Sequence, residues 1–360
     1  MKTIVLTGGG TAGHVMPNIA LLPELRKHFE RIIYIGSVDG IERKLLTEHK
    51  DIEFYAVETV KLVRKLTITN LAIPYKLLKG RAQARQLIKN FVPSVVFSKG
   101  GFVALPVVLA AASLGVPIVS HESDLSLGLA NRLSKNKVKV ICTSFKQTAK
   151  SLNNGVYVGT PIRNEILKAS HARAKGCFNL SSNKPVVLVV GGSSGAISIN
   201  KALRNALPTL TKKYQIIHSC GKGGTDRTIT NPDYKQFEYI SDMGGALAAS
   251  DIVVSRGGSN AIFEILALQK PMLIIPLPKG VSRGDQEENA KIFKQNGWAR
   301  VLYQDELGMS VKQPLTSPCR LTQEIDELFN SKDKIKKELA KVSLPNAVDN
   351  IIKILLQYSG

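Results

Sequence analysis

Cysteine is scarce: Cys142, Cys177, Cys220 and Cys319 are the only four in 360 residues, and no C-x-x-C pair occurs. Neither a disulfide framework nor a zinc site is indicated, and a reducing cytoplasm fits that usage. Aromatic residues make up only 6% of the chain, too few for the stacking platforms of a single-strand nucleic-acid binder, and no reader motif accompanies them. No H-x-x-H or D-x-D pattern offers a metal site. The apolar run before the first glycines is too short for a secretory signal, so the mature chain is expected to start at Met1. One uncharged stretch, Phe102 to Ser120, is long enough to span a bilayer. Pro106, Gly115 and Pro117 divide it into a buried helix and then a buried strand from Ile118. Acid is also short, with 28 Asp and Glu against 49 Lys and Arg, a formal charge of +21. Such a chain is drawn to polyanions: nucleic acid, anionic lipid or a phosphorylated substrate.

What the chain does have is a pair of glycine-rich turns half a chain apart, each following a short apolar run and preceding a helical pattern. Ile4-Val5-Leu6-Thr7 runs into Gly8-Gly9-Gly10-Thr11-Ala12-Gly13-His14, and Val186 to Val190 runs into Gly191-Gly192-Ser193-Ser194-Gly195. Glycine lets the backbone approach a ligand, and the following helix N-terminus favours an anion. The pair implies two phosphate-binding α/β units with a cleft between them. Short β-rich runs alternate with helical stretches. In the first half the clearest strands are Ile32 to Ile35, Val95 to Ser98, Ile118 to His121 and Val138 to Cys142. After a helix from about Arg163, strands are expected at Val186 to Val190, Gln215 to Ser219, Phe237 to Ile240, Ile252 to Ser255 and Met272 to Pro276, and a last helix at Ala347 to Tyr358.

Gly8-x-Gly10-x-x-Gly13 formally matches a dinucleotide fingerprint. The acid that would hold a ribose after the second strand is missing, since Ile35-Gly36-Ser37 stands there. The second half repeats the device at Arg256-Gly257-Gly258-Ser259-Asn260, with Ser259 or Asn260 able to cap a helix. A diphosphate could rest on that terminus, and Glu264, about one turn on, could accept hydrogen bonds from both ribose hydroxyls. Downstream, Ser282 to Asn289 opens a helix whose amides could read sugar hydroxyls.

Taken in order, these segments resemble the bacterial cell-wall N-acetylglucosaminyltransferases of glycosyltransferase family 28. The family loop G-G-T-G-G-H corresponds to Gly9-Gly10-Thr11-Ala12-Gly13-His14, with Ala12 replacing one glycine. A second loop resembles Ser98-Lys99-Gly100-Gly101-Phe102-Val103, and His121-Glu122-Ser123-Asp124 stands where H-E-Q-N is commoner. Gly159 to Arg163, Gly191-Gly192-Ser193, Arg256 to Glu264 and Asp285-Gln286 complete the match.

The resemblance implies an α/β GT-B architecture of two Rossmann-like, doubly wound parallel-sheet domains facing a deep cleft. Residues 1–161 form an acceptor- and membrane-facing domain, 162–343 bind the UDP-sugar, and a helix over about 344–360 packs back on the first domain. The implied reaction is inverting transfer from UDP-N-acetylglucosamine to the C4 hydroxyl of the muramoyl unit of lipid I, giving lipid II. Arg163 and Ile240 are expected to flank the uracil and Glu264 to bind ribose. Ser193, Ser259 and Asn260 would hold the diphosphate, Gln286 and Asn289 would read the sugar, and Asp124 would stand beside it. Thr11, Ala12 and Gly13 would close on the donor, while Gly9, Gly10, Gly100 and Gly101 face the acceptor pyrophosphate. His14 is the first candidate for the base, with Glu122 and Asp124 as rivals. Neither a tightly bound cofactor nor a protein-bound metal is implied, because helix N-termini serve the leaving diphosphate.

Lipid I lies in the membrane, and between Thr59 and His121 the chain carries nine basic residues and no acid. Leu71, Ile73, Tyr75, Lys76, Leu78, Lys79 and Arg81 form the expected patch against an anionic phospholipid surface. This places the protein peripherally on the cytoplasmic face of the plasma membrane, beside other cell-wall synthesis proteins and with no nucleic-acid partner. The competing readings are another UDP-sugar enzyme of the same fold, such as a glycolipid glycosyltransferase or a UDP-N-acetylglucosamine epimerase, and a non-catalytic basic nucleic-acid-binding protein.

Overall fold

The computed structural model describes residues 2–59, 73–169, 176, 178–180, 183–192, 195–307 and 319–360. The chain packs as two units, Met1–Arg163 with Pro345–Gly360, and Asn164–Leu344.

The first unit is built on seven parallel strands: β1 (Thr3–Thr7), β2 (Arg31–Ser37), β3 (Glu53–Val57), β4 (Val95–Ser98), β5 (Ile118–Glu122), β6 (Val140–Thr143) and β7 (Gly155–Tyr157), in the order β3-β2-β1-β4-β5-β6-β7. Alternate side chains serve opposite faces. Ile4 and Leu6 join a core with Leu21, Leu22 and Leu25 of the helix Ala12–His28 and Ile351, Ile352 and Leu355 of the helix Ala347–Tyr358. Val5 points the other way, to Ala84 and Ile88 of the helix Ile73–Phe91 and Val107 and Ala111 of the helix Ala104–Ser113. Both faces are therefore covered, which is why β1 and β4 are apolar with no polar alternation except at their ends.

The second unit holds six parallel strands, β8 (Val186–Val190), β9 (Gln215–Ser219), β10 (Tyr234–Phe237), β11 (Ile252–Ser255), β12 (Met272–Ile274) and β13 (Ala299–Val301), in the order β10-β9-β8-β11-β12-β13. One expectation needs correction: the strand read at Phe237 to Ile240 lies at Tyr234–Phe237, where Tyr234 pairs with Ile216 and Phe237 with Ser219. As an edge strand it tolerates the polar Lys235-Gln236, whose lack of apolar character hid it.

In each sheet the first strand sits inside, flanked by the second and the fourth, so the winding reverses between β1 and β4 and again between β8 and β11. Ligands of doubly wound sheets bind beyond the carboxyl ends of the strands at such reversals. Each reversal here carries two glycine-bearing turns. Phe102 to Ser120 folds into the ten-residue helix Ala104–Ser113, Gly115 with φ +72°, and β5. Among the described residues no helix is long and apolar enough to cross a membrane.

Candidate active site

In the first unit, the ends of β1, β4 and β5 bring together Gly9, Gly10, Thr11, His14, Gly100, Gly101, Glu122 and Asp124. Gly101 has φ +80°, and a Cβ there would stand 2.6 Å from the Gly9 carbonyl oxygen and 3.0 Å from His14 Nδ1, so only glycine lets the two turns meet. His14 lies in the first turn of its helix, where Nδ1 is 3.0 Å from Thr11 Oγ1. With Nδ1 held by that hydroxyl, a base role falls to Nε2. Thr11 occupies the cap position without a side-chain cap bond, which leaves the helix terminus suited to an anion.

The turn is braced from beneath by a residue that sequence reasoning missed. Glu42, fully buried, accepts hydrogen bonds from Gly10 N at 3.2 Å, from Ser37 N at 2.8 Å and from the Ser37 hydroxyl. In the sequence it sits among Ile41-Glu42-Arg43-Lys44 and reads as an ordinary charged helix face. The Gly10 amide, expected to face the acceptor pyrophosphate, is bound to this carboxylate, and Gly10 shapes the turn.

Glu122, expected among the bases, is engaged by its own loop. It is 6% exposed, its Oε1 accepts from Asp124 N at 3.1 Å, and its Oε2 accepts from Gly128 N at 2.8 Å and Asn131 Nδ2 at 2.9 Å. Burial raises its pKa above the ordinary carboxylate range. These bonds make it the brace of the 123–128 loop. His121 is fully buried, its Nε2–H donates to the Gly159 carbonyl at 2.9 Å, and burial holds its imidazole neutral. Asp124 is partly exposed at the same strand end.

Lys99, at the tip of β4, is 2% exposed and its Nζ donates to Ser123 Oγ at 2.6 Å. Burial lowers its pKa from 10.5 to about 8, against the opposing pull of Glu122 and Asp124. Between those two pH values the unfolded chain holds this proton and the folded one does not, so stability rises with pH across the window. Urea titrations at pH 7.5 and 10 should show the unaltered protein gaining about 2 kcal/mol more than Lys99→Met over that interval. Equal gains would show that no proton is lost there.

In the second unit, the turn after β8 has Gly192 at φ +86° and Gly195 at φ +75°. A Cβ on Gly195 would stand 2.2 Å from the Cys220 carbonyl oxygen, so glycine is required. Ser193 lies outside the described residues. The helix Ile197–Leu210 follows, with no side-chain cap. After β11, the helix Ser259–Ala267 is capped by Gly258 in extended conformation, again without a side-chain bond. Ser259 and Asn260 are therefore the first helical residues, not the cap, because Gly258 takes the cap geometry one position earlier. Two helix N-termini without side-chain caps thus flank the β8–β11 reversal, and together they suit a diphosphate.

The turn at Gly257 packs on the helix Asp285–Gln295, since a Cβ on Gly257 would stand 2.6 Å from the Gln286 carbonyl oxygen. Gln286 Oε1 accepts from Leu277 N at 2.9 Å, which commits the side-chain carbonyl and leaves its amide as the group to address a sugar hydroxyl. Asn289, expected to read the sugar, is fully buried and donates to the Gly257 carbonyl at 3.1 Å, a bond that holds the turn. Arg256 opens the turn after β11. Its guanidinium ties this region together, donating to the Ile275 carbonyl, Ser198 Oγ and Gln304 Oε1. Glu264 is half-buried one and a half turns into its helix. Ile240 lies beyond β10, 3% exposed, and the exposed side chain beside it is Tyr239. It therefore presents no open apolar surface to a base. Arg163 closes the first unit with its Nε buried and unpartnered.

On the helix Ile73–Phe91, Tyr75 and Leu78 are exposed large hydrophobics, with Lys76 exposed between them. Lys79, expected to face lipid, is 3.1 Å from Glu58 and neutralised by it. Leu71 lies outside the described residues. Among the described residues no group of three or more His, Cys, Asp or Glu could hold a metal ion.

Comparison with known proteins matches each half of the chain to one family. The glycosyltransferase family 28 N-terminal domain matches residues 4–143 and the family 28 C-terminal domain matches residues 186–353. The chain is 44% identical to the UDP-N-acetylglucosamine--N-acetylmuramyl-(pentapeptide) pyrophosphoryl-undecaprenol N-acetylglucosamine transferase of Clostridium novyi, over 99% of this chain and 98% of that protein. It is also 44% identical to the Lachnospira eligens protein of the same name, over 99% of each. In three dimensions it resembles MurG of Acinetobacter baumannii, with a TM-score of 0.75 at 24% identity, over 99% of this chain and 100% of that one.

Proposed function

The chain belongs to glycosyltransferase family 28, and from that membership we propose the reaction at its two strand reversals. It transfers N-acetylglucosamine from UDP-N-acetylglucosamine to the C4 hydroxyl of the N-acetylmuramoyl unit of lipid I, giving lipid II and UDP. The observation that carries the reading is the pair of helix N-termini without side-chain caps at the β8–β11 reversal. Departure of UDP builds negative charge on the diphosphate, and preorganised N–H groups stabilise it without reorganising. Glu264 accepts from the ribose hydroxyls, and the Gln286 amide donates to a sugar oxygen. In the first unit His14, oriented through Nδ1 by Thr11, takes the proton of the attacking hydroxyl through Nε2. A single in-line displacement needs no covalent intermediate and inverts the anomeric centre. UDP release that depends on a soluble lipid I analogue, with a β-linked disaccharide product, tests this; UDP release indifferent to the analogue contradicts it.

The acceptor is membrane-anchored, so the exposed Tyr75, Lys76 and Leu78 are assigned to an anionic lipid surface at the cytoplasmic face. Each basic residue near such a surface contributes about 1 kcal/mol. Lys76→Glu combined with Leu78→Asp should lower partitioning to phosphatidylglycerol vesicles by about 10-fold or more. Unchanged partitioning would remove this surface from membrane binding.

A further inference from the structure

Lys99 stands where the three strand ends of the first unit meet. Its backbone N–H donates to the Thr7 carbonyl at 2.8 Å, ahead of the glycine turn. A Cβ on Gly8 would lie 3.0 Å from the Lys99 Cβ. Its Nζ reaches Ser123 Oγ beyond β5. The next residue, Gly100, packs on Asn131, which in turn holds Glu122. One side chain therefore spans the reversal from the His14 turn to the Ser123-Asp124 turn. A buried ammonium is tolerated only with compensating charge, and the charges acting on it are Glu122 and Asp124, with neutral His121 nearby.

We propose that Lys99 is a positioning residue: its buried ammonium, bonded to Ser123 Oγ, locks the Ser123-Asp124 turn in register with the glycine turn that carries His14. It touches no substrate itself. It acts by fixing Asp124, which the family resemblance sets beside the donor sugar, and to that extent the assignment rests on the proposed function.

The test is a double-mutant cycle of Lys99→Met and Asp124→Asn, read as kcat and KM for UDP-N-acetylglucosamine with thermal unfolding of each variant. Lys99→Met should lower kcat/KM about 50-fold in the native background and no more than about 5-fold beside Asp124→Asn, because the carboxylate it positions is already gone. The same factor in both backgrounds overturns the proposal, as would a loss fully accounted for by lowered Tm. Should Lys99→Met fail to fold, isotope-labelled lysine decides in the unaltered protein and in Asp124→Asn. The Lys99 titration midpoint should fall in the variant, and an unmoved midpoint overturns the pairing. That titration needs no substrate, so its result stands apart from the identity of the reaction.

Discussion

His14→Ala should lower kcat by about 10²- to 10⁴-fold, the range of a positioned general base, with little change in KM for either substrate. The imidazole sits in the first turn of the helix Ala12–His28, its Nδ1 held by Thr11 and its ring packed on Gly101. Alanine removes the proton acceptor without disturbing the uncapped helix terminus or the Glu42 brace beneath the turn. Thr11→Val should lose part of the same kcat by freeing the ring to rotate. A His14→Ala variant with near-normal kcat would leave Asp124 as the base candidate, since Glu122 is bound on both oxygens by its own loop.

Glu264→Ala should raise KM for UDP-N-acetylglucosamine about 100-fold or more. Two hydrogen bonds from ribose hydroxyls to a carboxylate, at about 1.5–3 kcal/mol each, set that scale. The effect belongs to binding, because the ribose is remote from the bond that breaks and its contacts are alike in ground and transition states. A kcat effect with unchanged KM would move Glu264 away from the nucleotide. Gln286→Glu supplies a control of opposite logic: its oxygen can still accept from Leu277 N, yet the amide donor is gone.

The fold was legible because its strands are apolar runs ended by glycine, and the last helix because Ala347–Tyr358 keeps helical spacing. The edge strand Tyr234–Phe237 was not, since its residues are polar and only the pairing with β9 defines them. Within the candidate site, the residues on turns could be read from their order along the chain. What could not be read was which polar groups face inward. Glu42, Lys99 and Asn289 are charged or amide residues in short polar stretches, and only burial distinguishes a brace from a solvated side chain. The same burial lets Glu122 support its loop. Caps were misread for a related reason: Ser259 has cap chemistry, but Gly258 before it has the backbone freedom and takes the position.

The account turns on which reversal receives the nucleotide. A crystal structure with UDP-N-acetylglucosamine bound should show the diphosphate on the N-termini of Ile197–Leu210 and Ser259–Ala267, the ribose on Glu264 and the sugar against the Gln286 amide. A nucleotide seated instead on the Gly8 to Gly13 turn, with Glu264 and Gln286 untouched, would contradict it.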